Sequence, residues 1–553
     1  MRNYFTNRIA SNCMKDTLYS KFYNTKQNEN GTIDIHLNNK NKNIIKDHIF
    51  ENMELKSIPG DYEEYVLDTE PELYPEMNFR DLVSKSDIPN TTYASHSISS
   101  HPATFIPHIP SYIIKSLNHR DNDLKILDPF NGQGTTAIES LINGCDYTGV
   151  EINPVSLIMS EVATTVIPPE NITELIKLSK NKLENLSLEE NEQSIEFPGR
   201  TNQNHWFEKD AIDDLRLIRK LITEINFEEL ITEDIKDHVK PDDFKKLLTL
   251  GLMNTVFEVS NADPGVSKAH KSKKMRKKIK NNEHPPDGIP TFISELEKIY
   301  DGLESLWAIM LEKHKNKEDI YNNLPTISIN LSDSREFTYN KEERKANLVI
   351  TSPPYINAIN YYRGSKLRLF WTMDILESFY DFNAENLRRQ FIGTNSVSIK
   401  NISDKEFPKT MESVWNSEDS FEETRLKHLD QNISDIYNLD QKTSKKKSYV
   451  TWKFFAEDMA LTLERIYHNI DEGGYVFFVV GENTIGSQLI PTHKYIEDIA
   501  SNLGKLSTTS LDDSEGFNIV GTAFDKITNR GLFKTRNHNG GIIECEWIVI
   551  MQK

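Results

Sequence analysis

The chain has 553 residues, more than one ordinary domain, and its length predicts about two to four domains. Hydrophobic residues make up 37% of it, which is enough to build folded cores, yet no apolar run is long enough to cross a membrane. The net charge of −19 argues against indiscriminate binding to nucleic acid, although a local basic surface could still contact phosphates.

The amino terminus and the cysteines indicate the compartment. No long apolar segment follows Met1, so the sequence shows no secretory signal. Cys13, Cys145 and Cys545 are far apart and lack the spacing of metal ligands or of a disulfide framework. We therefore expect a cytoplasmic protein that binds no metal.

The first part of the chain carries little periodic signal. Residues 1–60 are polar and rich in asparagine, and we expect a weakly structured arm there. The sequence His-Pro-Ala-Thr-Phe-Ile-Pro-His-Ile-Pro occupies residues 101–110. The residues that follow, 111–117, are helix-like, so this stretch predicts a loop that enters a surface helix.

A glycine-rich motif at residues 128–136 is the first strong functional signal. It reads Asp-Pro-Phe-Asn-Gly-Gln-Gly-Thr-Thr and follows a short apolar strand at 124–127. A helix and a second strand, 147–150, come next, and Glu151 lies at the tip of that strand. Strand, glycine-rich turn, helix, strand and acid in this order are typical of a Rossmann-like unit that binds a nucleoside-containing cofactor.

The residue types of this motif suit such a cofactor. Gly132 and Gly134 would let the backbone approach the ligand closely. Thr135 and Thr136 open a helix whose amino terminus favours negative charge. The carboxylate of Glu151 suits two ribose hydroxyls.

Residues 165–322 show mostly helical periodicity. Leu296, Ile299, Leu303, Leu306 and Met310 form one apolar stripe, which indicates core packing. Between two of the predicted helices, residues 268–280 contain eight Lys or Arg residues and no acid. This run fits a solvated mobile loop or a phosphate-binding element, and the sequence leaves both interpretations open.

A second motif, Thr-Ser-Pro-Pro-Tyr, occupies residues 351–355. It follows an apolar strand at 347–350, and an earlier strand at 326–331 is followed by Asp333. The two prolines fix their own φ angles and keep the preceding residues out of helical geometry. The turn therefore offers a serine hydroxyl, a proline carbonyl and the tyrosine ring, which suit a flat heterocycle that carries an amino group; a Pro-Pro turn that merely ends a core strand is the alternative.

The carboxyl-terminal third completes the α/β pattern. Residues 361–368 mix tyrosines with positive charges and fit either stacked bases with phosphates or a simple amphipathic helix. An apolar helical face at 455–470 ends at Asp471-Glu-Gly-Gly474, and strands are predicted at 475–480 and 546–551. The two motifs should face each other, because parallel strands present their carboxyl ends at one edge of a sheet.

Together the two motifs resemble those of the S-adenosylmethionine-dependent DNA amino-methyltransferases, which modify cytosine N4 or adenine N6. The resemblance covers residues 95–160, 325–395 and 450–553, including the 101–110 segment. It implies an α/β fold: a Rossmann-like methyltransferase sheet with helices on both faces and a large, mostly helical insertion. The implied segments are an arm (1–60), a cofactor-binding half (61–164), the insertion (165–322), a catalytic half (323–395), a surface excursion (396–447) and the last part of the sheet (448–553).

The resemblance also implies the residue roles. Ser352 and the Pro353 carbonyl would bind the target amino group, beside Pro354, and Tyr355 would stack on a base flipped out of the duplex. S-adenosylmethionine would be bound by His101, Pro102, Ala103, Phe105, Asp128, Phe130, Asn131, Gly132, Gly134, Thr135, Thr136, Glu151 and Asp333. Double-stranded DNA would be contacted by Lys271, Lys273, Lys274, Arg276, Lys277, Lys278, Arg363 and Lys366.

Serine at the first position of the base-binding turn resembles cytosine-N4 enzymes more than adenine-N6 enzymes. The family reads its target DNA with insertions, so residues 165–322 are the first candidate region and 385–447 the second. The insertion lies between the second and third strands, unlike the simplest layout of the family. Cytosine-C5 methylation is disfavoured, because none of the three cysteines follows a proline.

Other classes remain as alternatives. The same catalytic residues could serve an RNA or small-molecule amino-methyltransferase, and a binding module could keep the fold without activity. We find no nuclease pattern of carboxylates with a lysine. A restriction endonuclease or another defence-system subunit, if present, would therefore be a separate chain.

Overall fold

A computed structural model gives the fold of the chain. It describes residues 23–27, 33–37, 54–55, 75–76, 79–84, 86, 88–99, 105–117, 124–188, 202–263, 269–281, 283, 285–356, 361–393, 427–439, 444–481, 483–485, 488–506, 511, 515–526 and 545–553.

A mostly parallel sheet forms the centre of the described part of the chain. Its seven longer strands are β1 (Lys125–Asp128), β2 (Asp146–Glu151), β3 (Ile327–Leu331), β4 (Ala346–Thr351), β5 (Ile470–Gly481), β6 (Asn518–Lys526) and β7 (Cys545–Gln552). Their order across the sheet is β6-β7-β5-β4-β1-β2-β3. β7 runs antiparallel to both of its neighbours, whereas β5, β4, β1, β2 and β3 are mutually parallel.

Smaller strands accompany this sheet. Pro75–Glu76 pairs with β6, and Glu54–Leu55 pairs with Pro75–Glu76. Two hairpins stand apart from the sheet, Tyr23–Gln27 with Ile33–Leu37 and Asn483–Ile485 with Gln488–Ile490.

The middle strands of the sheet are apolar on both faces, as strands covered by helices on both sides are expected to be. The sequence predicted this arrangement of helices on both faces. Leu348, Val349 and Ile350 of β4 are fully buried, as are Val476 and Phe478 of β5. The strands therefore show continuous apolar runs and not the alternation of a half-exposed sheet.

Helices that precede or flank the sheet strands are α1 (Phe79–Ser84), α2 (His108–Leu117), α3 (Thr135–Ile142) and α4 (Pro154–Thr164), and a 3₁₀ turn spans Ala94–Ser97. α2 was predicted at the surface, but most of it is buried because Ile109, Ile113 and Ile114 pack into the main core. α3 ends at Ile142, and Gly144 with φ of +70° terminates it, as expected for a glycine just past a helix.

The insertion between β2 and β3 is helical. Its helices are α5 (Pro169–Asn185), α6 (Gln203–Trp206), α7 (Lys209–Glu224), α8 (Pro241–Glu258), α9 (Lys273–Lys280), α10 (Gly288–Lys313) and α11 (Lys317–Asn322), with a 3₁₀ turn at Phe227–Leu230. The predicted apolar stripe of α10 is buried from Leu296 to Met310 in a second core. The basic run, for which a loop was one expectation, forms α9, which begins where the Ser272 hydroxyl accepts a bond from the Met275 N–H.

The remaining helices are α12 (Tyr361–Glu377), α13 (Ala384–Gln390), α14 (Lys427–Asn438), α15 (Ser444–Trp452), α16 (Ala460–Asn469), α17 (Thr492–Ser501) and α18 (Leu503–Leu506), and a π-helical segment, Lys453–Met459, joins α15 to α16. β5 begins at Ile470, five residues before the predicted strand start, and contains the expected helix breaker. None of the helices in the described ranges is long and apolar enough to span a membrane.

Candidate active site

An open pocket lies at the carboxyl-terminal edge of the parallel strands. The turns after β1, β2, β3 and β4 all reach it, together with the start of α4 and the chain just after α13. Its lining residues are Pro129, Phe130, Gly132, Val150, Glu151, Ile152, Asn153, Ser156, Ser332, Asp333, Ser334, Ser352, Pro354, Gln390, Phe391 and Ile392. The glycine-rich motif and the Ser-Pro-Pro-Tyr motif therefore meet at one cavity.

The predicted site residues divide into three groups. Those that line the pocket are Phe130, Gly132, Glu151, Asp333, Ser352 and Pro354. Those that lie outside its lining are Phe105, Asp128, Asn131, Gly134, Thr135, Thr136, Pro353 and Tyr355. His101, Pro102 and Ala103 lie outside the described residues, so the structure says nothing of their role.

Asp128 connects the two motifs directly. Its buried Oδ1 accepts a hydrogen bond from the Thr351 hydroxyl at 2.6 Å and another from the Phe130 N–H at 3.0 Å. Burial raises the pKa of Asp128 to about 6, against the opposing effect of these bonds. The last residue of β1 thus holds the last residue of β4, and it fixes the two turns relative to each other.

The glycine-rich turn is shaped by its own packing as much as by the pocket. Gly132 lines the pocket with φ of +55°, where glycine is favoured. Gly134, with φ of +89°, packs against α4, because an added Cβ would overlap the Ser160 side chain. The close packing against α4 is thus one reason for glycine here, and the close approach of Gly134 to a ligand stays a prediction.

Asn131 and the two threonines of the motif are internal. The Asn131 Oδ1 accepts a bond from the Tyr147 hydroxyl at 2.7 Å, and the Asn131 side chain is buried. Thr135 and Thr136 are buried in the first turn of α3, and the Thr136 hydroxyl lies 3.4 Å from the Ile350 carbonyl of β4. These three residues shape the turn and do not line the cavity.

Glu151 is oriented by backbone groups on either side of it. One carboxylate oxygen accepts a bond from the Gly132 N–H and the other from the Asn153 N–H, each at 2.8 Å. Burial raises the pKa of Glu151 to about 7, and these backbone bonds oppose the rise. The carboxylate therefore lines the pocket in a fixed orientation.

Asp333 lines the pocket but is already paired with Arg335. The Arg335 Nε and a terminal nitrogen donate to the two Asp333 oxygens at 2.9 and 2.5 Å. Arg335 also donates to Asp458 of the π-helical segment and to the Gln390 carbonyl. The Arg335 N–H also donates to the Asp333 Oδ1, at 3.0 Å, so about one acceptor position of this carboxylate is left for a further donor. Through its bond to the Gln390 carbonyl, Arg335 holds the pocket wall after α13.

That wall was missed by the sequence reasoning. Gln390, Phe391 and Ile392 had been assigned no individual role in the pocket, although they fall within the predicted catalytic half and within the second candidate region for reading DNA. Phe391, two residues before Gly393, was the available signal, and an aromatic residue at a helix end equally fits ordinary packing.

The base-binding turn leaves β4 at Thr351. Ser352, Pro354 and Tyr355 are partly exposed, whereas Pro353 is buried. The Tyr355 hydroxyl donates to Glu546 of β7 at 3.0 Å, a contact that no local motif predicts.

The predicted DNA-binding residues lie near one another. Lys273, Lys274, Arg276, Lys277 and Lys278 are exposed along α9, and within the described chain none of them forms an ion pair.

The segment before α9 contacts the start of α12. The Ala269 N–H donates to the Arg363 carbonyl at 3.3 Å, and Lys271 donates to the His205 carbonyl at 3.4 Å. Burial lowers the pKa of Lys366, and so do the neighbouring positive charges of Arg363 and Arg388. The two predicted basic elements thus adjoin, and Arg388 adds a third charge beside the pocket wall.

The strand order and the pocket at the strand ends fit the Rossmann-like methyltransferase fold. A family model described as DNA methylase, for N6 and N4 amino-methyltransferases, matches residues 15–160. The match includes the glycine-rich motif and Glu151 and ends before the Ser-Pro-Pro-Tyr motif.

Two relatives are Type II methyltransferases by name. The Type II methyltransferase M.MvaI of Kocuria varians is 23% identical over 417 residues, which span 74% of this chain and 82% of that protein. The Type II methyltransferase M.MjaII of Methanocaldococcus jannaschii is 23% identical over 154 residues, 27% of this chain and 28% of that protein. No solved structure matches significantly.

These comparisons confirm the resemblance drawn from the motifs. Over part of its length, the chain is similar to DNA methyltransferases of the N4/N6 amino-methyltransferase family. Across the described residues, no group of three or more His, Cys, Asp or Glu side chains could hold a metal ion.

Proposed function

We propose that the protein transfers a methyl group from S-adenosylmethionine to the exocyclic amino group of a flipped base in double-stranded DNA, with cytosine N4 preferred. The supporting observation is the shared pocket. Glu151 and Asp333 line it beside Ser352 and Pro354, so acceptors suited to a nucleoside and acceptors suited to an amino-bearing base meet in one cavity.

The hydrogen-bond acceptors that line the pocket fit the cofactor. Glu151, oriented by two backbone N–H groups, would accept bonds from the ribose hydroxyls, and Asp333 would accept one from the adenine amino group. Gly132 and Phe130 form the wall beside them. S-adenosylmethionine supplies an electrophilic methyl group on its sulfonium.

The base-binding turn would prepare the amine for transfer. The Ser352 hydroxyl and the Pro353 carbonyl would accept its two N–H bonds, which withdraws the lone pair from the ring and favours the positive charge that develops on nitrogen. Tyr355 would stack on the base. Holding the nitrogen at near-attack distance supplies much of the rate, so no covalent nucleophile is needed.

The preference for cytosine N4 follows from Ser352, since serine at this position resembles the N4 enzymes; adenine N6 is the second candidate. DNA would be read by the helical insertion at 165–322, with α9, Arg363 and Lys366 on the phosphates. The segment at 385–447 is the second candidate region. Both relatives are named Type II methyltransferases, which supports a role in a restriction-modification or related defence system. An endonuclease of such a system would be a separate chain.

Mass spectrometry of nucleosides from unmethylated DNA, incubated with the protein and S-adenosylmethionine, tests this function. We expect N4-methylcytosine. N6-methyladenine would overturn the cytosine preference but leave the proposed reaction in place. Methylation of RNA but not of DNA would show that the substrate is RNA. No methylated nucleoside from either polymer would overturn the proposal.

A further inference from the structure

Tyr355 rests on two strands that lie far from its own motif. Gly481 is the last residue of β5, and Glu546 is the second residue of β7. The antiparallel register places these two residues directly opposite each other. The tyrosine therefore contacts one pair of opposite residues on neighbouring strands: its ring lies on Gly481 of β5, and its hydroxyl bonds to Glu546 of β7.

Gly481 supplies the surface under the ring. A Cβ added at this position would lie 2.6 Å from the Tyr355 Cε2 and 2.9 Å from its Cδ2, distances that packed atoms do not tolerate. No positive φ requires glycine here. The absence of a side chain therefore serves the approach of the ring to the backbone.

Glu546 holds the other end of the ring. Its Oε1 accepts the Tyr355 hydroxyl at 3.0 Å, and the carboxyl is enclosed enough that burial raises its pKa. An apolar residue would suit the end of a buried strand better, because burying a carboxyl costs free energy unless it gains a partner. The partner here is the tyrosine of the base-binding turn.

We propose that Glu546 is a positioning residue for methyl transfer: it holds the ring of Tyr355, seated on Gly481, in the orientation that stacks on the target base. The inference rests on the proposed function, because the base is the ligand of that ring. The tyrosine side chain rotates about two bonds, and a fixed hydroxyl removes this freedom before the base arrives. Displacement of about 1 Å at such a site is enough to slow a reaction strongly.

The alternative is that the bond only stabilises the end of β7. A structural role would lower the melting temperature of the protein and would affect cofactor affinity and turnover together. A positioning role lowers turnover and leaves cofactor affinity unchanged. If Glu546 acts by positioning, removal of either the Tyr355 hydroxyl or the Glu546 carboxylate breaks the same hydrogen bond and should have the same effect on turnover.

The test compares Glu546→Ala, Glu546→Gln, Tyr355→Phe and the Glu546→Ala/Tyr355→Phe double variant. Turnover is measured with labelled S-adenosylmethionine and amplified bacterial genomic DNA, which carries no methylation, and cofactor affinity is measured by calorimetry. Glu472→Ala is the matched control, because Glu472 is an exposed carboxylate at the other end of β5. Thermal melting identifies any variant that fails to fold.

We expect Glu546→Ala to lower kcat about tenfold and to leave cofactor affinity within about twofold. Glu546→Gln should retain most of the rate, since its amide oxygen can accept the same hydroxyl. Tyr355→Phe should match Glu546→Ala, and the double variant should lose nothing further.

Three results would overturn the inference. The first is wild-type turnover in Glu546→Ala, and the second is a loss of turnover in the double variant that equals the product of the two single losses. The third is a loss of cofactor affinity in Glu546→Ala as large as its loss of turnover. If Glu546→Ala does not fold, Tyr355→Phe and Glu546→Gln test the same bond from either side. Failure of the unmodified protein to methylate any nucleic acid would instead overturn the proposed function, and this inference with it.

Discussion

The two sides of the pocket are held in different ways. On the side proposed for the cofactor, Glu151 accepts bonds from residues 19 and 2 positions away in sequence, Gly132 and Asn153. On the side proposed for the base, Thr351 bonds to Asp128 across 223 positions and Tyr355 bonds to Glu546 across 191. The side proposed for the cofactor is thus oriented by residues close in sequence. The side proposed for the base is oriented by residues that only the folded sheet brings together.

This difference predicts separate sensitivities. Changes on the local side should alter binding of the cofactor and leave the base-binding turn in place. Changes on the long-range side should alter turnover, because they move the groups that are proposed to contact the reacting nitrogen. Three variants test this division.

Ser352→Ala should have the largest effect. It removes the hydroxyl that is proposed to accept a bond from the target amino group, and the loss of one such transition-state contact costs about 100-fold in kcat. Cofactor affinity should stay within about twofold, since the backbone of the turn and its bond from Thr351 to Asp128 are retained. Single-turnover methylation measures the first quantity and calorimetry the second.

Ser352→Thr is the matched control, because it keeps a hydroxyl at the same position and should lose less than alanine. A large loss of cofactor affinity in Ser352→Ala, with turnover of the bound complex intact, would place Ser352 on the cofactor side and contradict the division.

The same difference explains what the sequence could predict. Strands β1 to β4, the turn after β1 and the position of Glu151 follow from local patterns, and the structure shows each of them. β6, spanning Asn518–Lys526, was missed altogether; it pairs antiparallel with β7 on one side and with the short strand Pro75–Glu76 on the other. Local periodicity carries no information on such pairing.

Packing between distant segments accounts for the other differences. Gly134 was predicted to approach a ligand, and the structure adds a reason for glycine that the sequence did not show, because an added Cβ would overlap Ser160 of α4. Arg335 and Glu546 belong to no motif, and their roles depend on partners such as Asp458 and Tyr355 brought close by the fold.

Glu151→Gln should have the next largest effect. Bonds to a charged acceptor contribute about 1.5–3 kcal/mol each, so the loss of charge should weaken cofactor binding about 10- to 100-fold at pH 8. The pKa of Glu151 is about 7 in the free protein, and its ionised form is the better acceptor. Cofactor affinity of the unmodified protein should therefore rise between pH 5.5 and 7.5 with release of a proton, and the variant should lose this rise.

Stability of the free protein should change with pH in the opposite sense. Because the pKa of Glu151 is raised above its ordinary 4.5, its contribution to stability is fully present below about 4.5 and is lost as the pH rises through about 7. The melting temperature of Glu151→Gln should fall less steeply with rising pH over this window than that of the unmodified protein. Part of the fall should persist, because Asp128 has a pKa of about 6. An unchanged pH dependence of cofactor affinity in the variant would show that Glu151 does not bind the cofactor.

Charges on α9 should give the smallest effect, since they lie outside the pocket. Lys274 and Lys278 are exposed and four residues apart, so they share one face of the helix. Replacing both with alanine should weaken DNA binding about three- to tenfold at 0.15 M salt and reduce the slope of log affinity against log salt by up to about 1.8. Cofactor affinity and the rate of the bound complex should not change.

The matched control replaces two other exposed lysines of the insertion, Lys177 and Lys236, each of which already pairs with a glutamate on its own segment. Their loss should leave the salt dependence of DNA binding unaltered, because their charge is compensated within the protein. Equal slopes for both double variants and the unmodified protein would remove α9 from the DNA-binding surface and would shift the search for phosphate contacts to Arg363, Lys366 and Arg388 beside the pocket wall.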